Sequence, residues 1–262
     1  MNLNLTPVVK NLLFINLGFF ALSFFGGSLT DTFVLYPILS ENFRPWQVLT
    51  HMFMHGGIGH IFFNMFALIS FGSLLETFWG SKKFLLFYMI CGIGAAFIQS
   101  GITFIELQNL QAEVNSYFFK PSPAEFSSFV QDNYKMAYTQ LYDFIKEFKN
   151  QPENISYINQ SKLYVNQIYS AHLNHGMVGA SGAITGLLIA IAMLFPNTEL
   201  MLMFIPIPIK AKYFVIGYIF LELYLGISKF EGDTIAHFAH LGGALFGYIL
   251  IKYWQKQRTD FY

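Results

Sequence analysis

Six apolar stretches recur along this chain, at about residues 11–29, 52–75, 84–105, 177–195, 212–228 and 236–254. Each comes near the ~20 residues that a helix needs to cross the hydrocarbon core of a bilayer. A soluble fold would have to bury all six at once. With 54% hydrophobic, 19% aromatic and only 11% charged residues, the chain has too little polar surface to cover them. It therefore reads as an all-α polytopic membrane protein built on six transmembrane helices. The first run, "NLLFINLGFFALSFFGG", has no clear small-residue cleavage site behind it and is expected to remain as the first span. The single cysteine, Cys91, falls inside the third span and can form no internal disulfide. A net charge of zero gives no support for binding nucleic acid.

The few cations orient the bundle. Lys10, Lys82, Lys83, Lys210, Lys212, Lys252, Lys256 and Arg258 all fall on one side if six spans alternate. The intervening short loops carry Asp31, Glu41 and Arg44, and then Lys229, Glu231 and Asp233. The positive-inside rule then puts both termini in the cytoplasm.

Residues 106–172 break the rhythm of short connections and are expected outside the membrane, opposite the lysines. Three units follow: 1–105 with the first three spans, 106–172 as an extracytoplasmic insertion, and 173–262 with the last three spans. Within the insertion, "SPAEF" reads as a helix start, with Ser122 as N-cap, Pro123 at the first helical position and Glu125 completing a capping box. From Phe126 through Phe129, Val130, Ile145 and Phe148, apolar residues recur at three- and four-residue steps. They predict one amphipathic helix ending before Pro152, its stripe packed on the insertion's own small core or on the bilayer interface. Asn154-Ile155-Ser156 and Asn159-Gln160-Ser161 match the short glycosylation pattern. After the fourth span, "PNTELMLMFIPIPIKAKY" carries Pro206 and Pro208 and cannot continue a helix, so an extended strip along the cytoplasmic surface is expected.

Polar side chains at membrane depth are costly and so mark candidate sites. The second span holds His51, His55, His60 and Asn64. His60 and Asn64, four apart, share one helix face. His51 and His55 form a similar pair that could ligate a metal, but no carboxylate completes an H-E-x-x-H site, and hydrogen bonding of His55 to loop backbone is the better expectation. The last span opens with His237 and His240, followed by Gly242 and Gly243, and Gly243 is spaced for close helix contact with Gly247. Its expected partner is the small-sided start of the fourth span, Gly179, Ala180, Ser181 and Gly182 with Gly186. Two glycine-lined helices meeting there would bring the Ser181 hydroxyl to a histidine of the last span, and a serine needs such a base to act as a nucleophile. His60 and Asn64 offer donors for an oxyanion.

At these residues the sequence resembles the rhomboid family of intramembrane serine proteases. The resemblance rests on "WQVLTHMFMHGGIGHIFFN", "GASG" and "AHLGG", in that order and on the expected spans. It implies a six-helix rhomboid bundle in which Ser181 is the nucleophile and His240 the general base and then acid. It implies too that His60 and Asn64, with the Ser181 backbone N–H, bind the oxyanion. The implied active centre is a Ser-His dyad without an aspartate, His237 being at best a helper. No metal or cofactor is implied. The substrates implied are membrane proteins whose transmembrane segment unwinds easily, cut near its extracytoplasmic end. Gln47 follows Trp46 where many relatives have Trp-Arg, and Thr185 stands where many carry an aromatic ring packed on the catalytic imidazole. Glu76 resembles a structural glutamate that ties a loop or helix end. The lone acid Glu222, inside the fifth span, is expected to hydrogen-bond a neighbouring helix or water. The expected location is the cytoplasmic (inner) membrane of a bacterium. Two other readings compete: a catalytically silent rhomboid-like scaffold that binds membrane segments, and a histidine-rich metal transporter.

Overall fold

A computed structural model describes residues 5–202, 205–228, 230 and 232–257. Lys229, Glu231 and Arg258, three of the charged residues that orient the spans, lie outside these. Helix α1 spans Pro7–Phe25. Helix α2, Ile58–Trp79, contains a π-helical turn at Leu68–Gly72. Helix α3 runs for 39 residues, Ser81–Phe119. The insertion holds α4 (Pro123–Asn133), α5 (Lys135–Gln140), α6 (Tyr142–Asn150) and α7 (Ile155–Leu173). Helix α8, Ser181–Leu194, is followed by strands β1 (Glu199–Leu202) and β2 (Ile205–Lys210), then by α9 (Ala211–Ser228) and α10 (His237–Gln257).

The protein is a polytopic helical membrane protein. Among the described residues, α1, α2, α3 and α9 are long and apolar enough to span a bilayer. Helix α8 has only 14 residues. Helix α10 has 21 residues but begins with two histidines and ends among lysines. The sequence expectation departs from the structure in several places. The second apolar stretch is not helical from residue 52: His51 lies in a 3-10 turn and His55 in the loop before α2. Two glycines, Gly56 and Gly57, hold that segment out of the helix. The third helix does not stop at residue 105 but continues to Phe119, because "ELQNLQAEVNSYFF" is polar yet contains no breaker. The extended strip after α8 is a two-stranded antiparallel hairpin pairing Glu199 with Lys210 and Leu200 with Ile209, a small exception to an all-helical fold.

The bundle packs on glycines. A Cβ on Gly243 would sit 1.9 Å from the carbonyl oxygen of Gly182, and one on Gly247 would meet the Cα of Gly186 at 3.1 Å. Helices α8 and α10 therefore touch backbone to backbone, as the small-residue spacing predicts. On its other side α8 meets α3, where Cys91 fills the space beside Gly186 and Ala95 that beside Gly182. Residues 182–188 and 190–191 of α8 are buried, so this short helix forms the centre of the bundle.

One end of the bundle gathers the lysine-bearing segments. Lys83 lies 4.2 Å from the ring centre of Trp254, which meets Trp79 edge to face. There the buried Glu76 accepts hydrogen bonds from the Val8 and Val9 N–H groups, at 3.0 Å each, and from the Ser81 hydroxyl at 2.6 Å. It thus caps the open N–H groups of α1 and closes the α2–α3 turn. Glu76→Gln should cost about 1–3 kcal/mol, read as a lower melting temperature.

Residues 106–172 build a core of their own around the C-terminal half of α3. Leu110, Val114 and Tyr117 of α3 pack with Phe126, Phe129, Val130, Ile145, Phe148, Val165 and Ile168. Ser122 caps α4 by accepting from the Glu125 N–H at 3.2 Å. The single amphipathic helix expected here is instead three short ones, broken at Tyr134 and Leu141. Breaking folds the apolar stripe back on itself, so Phe126 meets both Phe144 and Phe148. At the insertion's exit, the Asn174 side-chain oxygen accepts from Ser40 Oγ and Asn42 Nδ2, 2.9 Å each, tying α7 to the first loop.

Candidate active site

Ser181 opens α8 after Ala180, with its own N–H among the unpaired donors of the first turn. The preceding Gly179 has φ +129°, a conformation that disfavours any side chain. Its N–H donates to the His51 carbonyl at 2.9 Å, while Met177 pairs with Leu35 through two backbone hydrogen bonds. These contacts pin the approach to Ser181 onto the first loop and onto the segment before α2.

The Ser181 hydroxyl lies 2.8 Å from His240 Nε2. The glycine contact of α8 and α10 favours this proximity, because Gly182 directly follows Ser181 and Gly243 lies one helical step of three residues after His240. Gln99 of α3 adds a fixed point by accepting from the Ala239 N–H at 3.1 Å. On its other face His240 Nδ1 meets α9. Glu222 Oε2 is 2.9 Å away and Tyr218 Oη 3.2 Å. The Tyr218 ring lies nearly parallel to the imidazole, centroids 6.4 Å apart. The same Glu222 oxygen is 2.7 Å from His237 Nδ1, and His237 Nε2 is 2.8 Å from Asp233 Oδ2. The hydrogen bond from His237 holds the Asp233 carboxyl below its usual range.

Sequence reasoning brought Ser181 and His240 together, and so does the structure. His60 and Asn64 line the same cavity. His60 Nδ1 accepts from the Gly56 N–H at 3.3 Å, which leaves the proton on Nε2. That Nε2 is near Gly179: a Cβ there would lie 2.7 Å from it and 3.6 Å from Ser181 Oγ. A small space therefore separates the His60 donor from the hydroxyl. Asn64 Nδ2 spends one hydrogen on the His60 carbonyl at 2.9 Å. His55 hydrogen-bonds the Phe53 carbonyl through Nδ1, the backbone role expected of it, and stacks edge-on against His60. His51 bonds the Gln47 carbonyl at 3.0 Å.

The two departures from the family pattern are accommodated locally. Thr185 donates to the Ser181 carbonyl at 2.9 Å and lies 3.4 Å from the Tyr218 hydroxyl. Its small side chain leaves room for Tyr218, so the aromatic neighbour of the imidazole comes from α9 instead of α8. Gln47 is fully buried and organises the first loop. Its oxygen accepts from the Arg44 N–H at 2.9 Å and its nitrogen donates to the Asn42 carbonyl at 3.0 Å. Tyr218 and the contact of Glu222 with His240 were not found from the sequence. The four-residue step between them, which puts both on one face of α9, was the available signal.

A cavity of about 1260 Å³ surrounds these groups and continues from Ser181 past Glu113 of α3 to Asn133 and His172 of the insertion. Among the described residues, Glu222, His237 and His240 form the one cluster whose ligand atoms, within 4.8 Å of one another, could hold a metal ion. Their spacings of 2.7 and 2.9 Å are those of N–H···O⁻ hydrogen bonds.

A family model described as Rhomboid domain matches residues 42–105 and 155–256, more than half of the chain. The chain is 39% identical over 80 residues to Rhomboid protease GluP of Bacillus subtilis, covering 29% of this chain and 16% of that protein. It is 26% identical over 221 residues to an uncharacterized mitochondrial rhomboid protein of Schizosaccharomyces pombe, covering 82% of this chain and 53% of that one. Over 58 residues it is 34% identical to Inactive RHOMBOID-like protein 8 of Arabidopsis thaliana, 22% of this chain and 16% of the relative. The chain thus spans about half the length of the yeast relative and far less of the other two.

Proposed function

This chain belongs to the rhomboid family, and from that premise we propose that it is an intramembrane serine endopeptidase, with Ser181 as nucleophile and His240 as base. The observation that carries the reading is the 2.8 Å contact between Ser181 Oγ and His240 Nε2 inside a cavity that His60 and Asn64 also line. In the reaction Ser181 attacks a peptide carbonyl carbon while its proton passes to His240 Nε2. That proton then goes to the departing amine as the C–N bond breaks, and water hydrolyses the resulting ester. The Ser181 N–H at the head of α8, together with His60 Nε2–H and Asn64, would hold the oxyanion. His60→Ala should lower kcat about 100-fold with little change in KM, as loss of one such donor does elsewhere.

Six spans, α1, α2, α3, α8, α9 and α10, make up the proposed bundle, with units 1–105 and 173–262 forming the membrane core and 106–172 standing outside it. The length of α8 favours a recessed site. Its 14 residues rise about 21 Å, against roughly 30 Å of hydrocarbon. With its lower end at the lysine-bearing interface, Ser181 would lie some 10 Å beneath the other surface, reached by water through the cavity. The proposed substrates are transmembrane segments of other membrane proteins, cut near their extracytoplasmic end. Both termini would be cytoplasmic, in a bacterial cytoplasmic membrane.

A silent scaffold is the second reading, and the inactive plant relative favours it. Against it stands the intact hydrogen bond between hydroxyl and imidazole, which a binding protein does not need. A fluorophosphonate probe separates the two. The enzyme should gain one phosphonyl group on Ser181 by mass spectrometry, and Ser181→Ala and His240→Ala should gain none. Wild-type protein that stays unlabelled, or labelling undiminished in Ser181→Ala, would end the protease reading.

A further inference from the structure

We propose that Glu222 is the third member of the catalytic group, a carboxylate that orients and charge-balances His240, and that His237 and Asp233 hold it in place. The proposal rests on the serine-protease reading above and deepens it, since the resemblance implies a dyad with no acid.

The chain of contacts is continuous. Ser181 Oγ meets His240 Nε2 at 2.8 Å, His240 Nδ1 meets Glu222 Oε2 at 2.9 Å, and the same oxygen meets His237 Nδ1 at 2.7 Å. His237 Nε2 meets Asp233 Oδ2 at 2.8 Å. Each link fixes the tautomer of the next. An ionised carboxylate only accepts, so the Glu222 contact favours the form with the His240 proton on Nδ1, and Tyr218 Oη, 3.2 Å from the same nitrogen, can accept as well. Its Nε2 is then a lone pair aimed at the serine hydroxyl, the form that a general base requires. Without an acceptor at Nδ1 the imidazole could carry its proton on Nε2 and be useless to Ser181.

Charge counts as well as orientation. When Ser181 Oγ bonds to the carbonyl carbon, its proton moves to Nε2, and His240 becomes an imidazolium until the amine leaves with that proton. In a site where Glu222, His237 and His240 are nearly buried, such a charge is costly unless an opposite one lies beside it. Glu222 provides it, and the proton stays on His240 as in other serine triads.

A buried carboxylate would itself be costly if unpaired. Glu222 Oε2 is hydrogen-bonded to His237 at 2.7 Å and lies 2.9 Å from His240 Nδ1. His237 can donate to Glu222 and Asp233 together only as the imidazolium, which places one positive charge between two negative ones. Asp233, in the loop before α10, thus anchors the far end of the network. Helix α9 brings Glu222 and, one turn earlier, Tyr218 to the same imidazole. The arrangement answers how His240 is held although residue 185 is a threonine. A purely structural role would tie α9 to α10 through His237 alone and would not need the His240 contact.

The test compares full-length wild type with Glu222→Gln, Glu222→Asp and Ser181→Ala in detergent micelles, with melting temperature as the folding control. The readouts are the fluorophosphonate labelling rate of Ser181 and kcat and KM on a reporter membrane segment. Glu222→Gln keeps the size and removes the charge. It should lower the labelling rate and kcat about 100-fold or more while KM changes little. Glu222→Asp, charged but shorter, should recover roughly tenfold of that loss. Wild-type rates in Glu222→Gln, with Ser181→Ala unlabelled, would overturn the triad and leave the protease reading intact. Equal losses in both Glu222 variants with a matching fall in melting temperature would overturn it too, in favour of a structural tie. Loss of wild-type labelling on adding a chelator would overturn it in favour of a bound metal. Labelling that persists in Ser181→Ala would instead remove the underlying protease reading.

Discussion

If Ser181 and His240 act as proposed, alanine at either one should all but abolish cleavage of a reporter membrane segment, and the double variant should lose nothing further. The two atoms share one proton across 2.8 Å, so removing either partner removes the whole proton transfer. In groups that act as a unit, a single knockout costs roughly a millionfold in kcat, about as much as removing every member. What survives is the rate supplied by the oxyanion donors and by binding, about 10³-fold over water. Initial rates at matched protein concentration check this, with expression and melting temperature as controls. A double variant slower than either single by the product of both losses would mean that the residues act independently. Cleavage at wild-type rate in Ser181→Ala would move the nucleophile elsewhere.

Among the glycines, Gly243→Ala should be the most damaging substitution. Its Cβ would fall 1.9 Å from the Gly182 carbonyl oxygen, and backbone cannot turn aside as the end of a side chain can. Helices α8 and α10 would have to separate, and they carry Ser181 and His240. Overpacking typically costs about 1–3 kcal/mol. Here the displacement also opens the Ser181–His240 hydrogen bond, so the proposed activity should vanish even where the protein still folds. Gly217→Ala on the exposed side of α9, where nothing lies within 4 Å, is the matched control. It should be neutral or stabilising by up to about 1 kcal/mol. Full activity in Gly243→Ala would mean that the two helices are not in backbone contact.

The sequence revealed the glycine contact because small residues at four-residue steps in apolar runs serve chiefly to let two backbones approach. Ser181, His240, His60 and Asn64 were legible on a related ground, since polar groups stand out where the solvent is lipid. Glu222 stood out too, but its partner did not. The four-residue step from Tyr218 to Glu222 puts both on one face of α9, but the register of that face against α10 depends on how the helices pack. The loop placement of His51 and His55 was hidden by the apolar residues around them, which continue a helix pattern through Gly56 and Gly57. Neither proline nor glycine marks the breaks at Tyr134 and Leu141, so the insertion looked like one helix. The prolines after α8 showed that a helix stops, whereas they do not specify the pairing of Glu199 with Lys210.

Most extra segments hang from a protein on two pliable stalks and can be trimmed away with little consequence. Here the entering stalk is α3 itself, an unbroken rod of 39 residues whose lower half packs against α8 and whose upper half is a wall of the insertion's core. Torque or tilt applied at the 106–172 unit should therefore reach the α3 residues packed beside Ser181 without a joint to absorb it. Excising the unit would leave a severed helix end, not a healed loop.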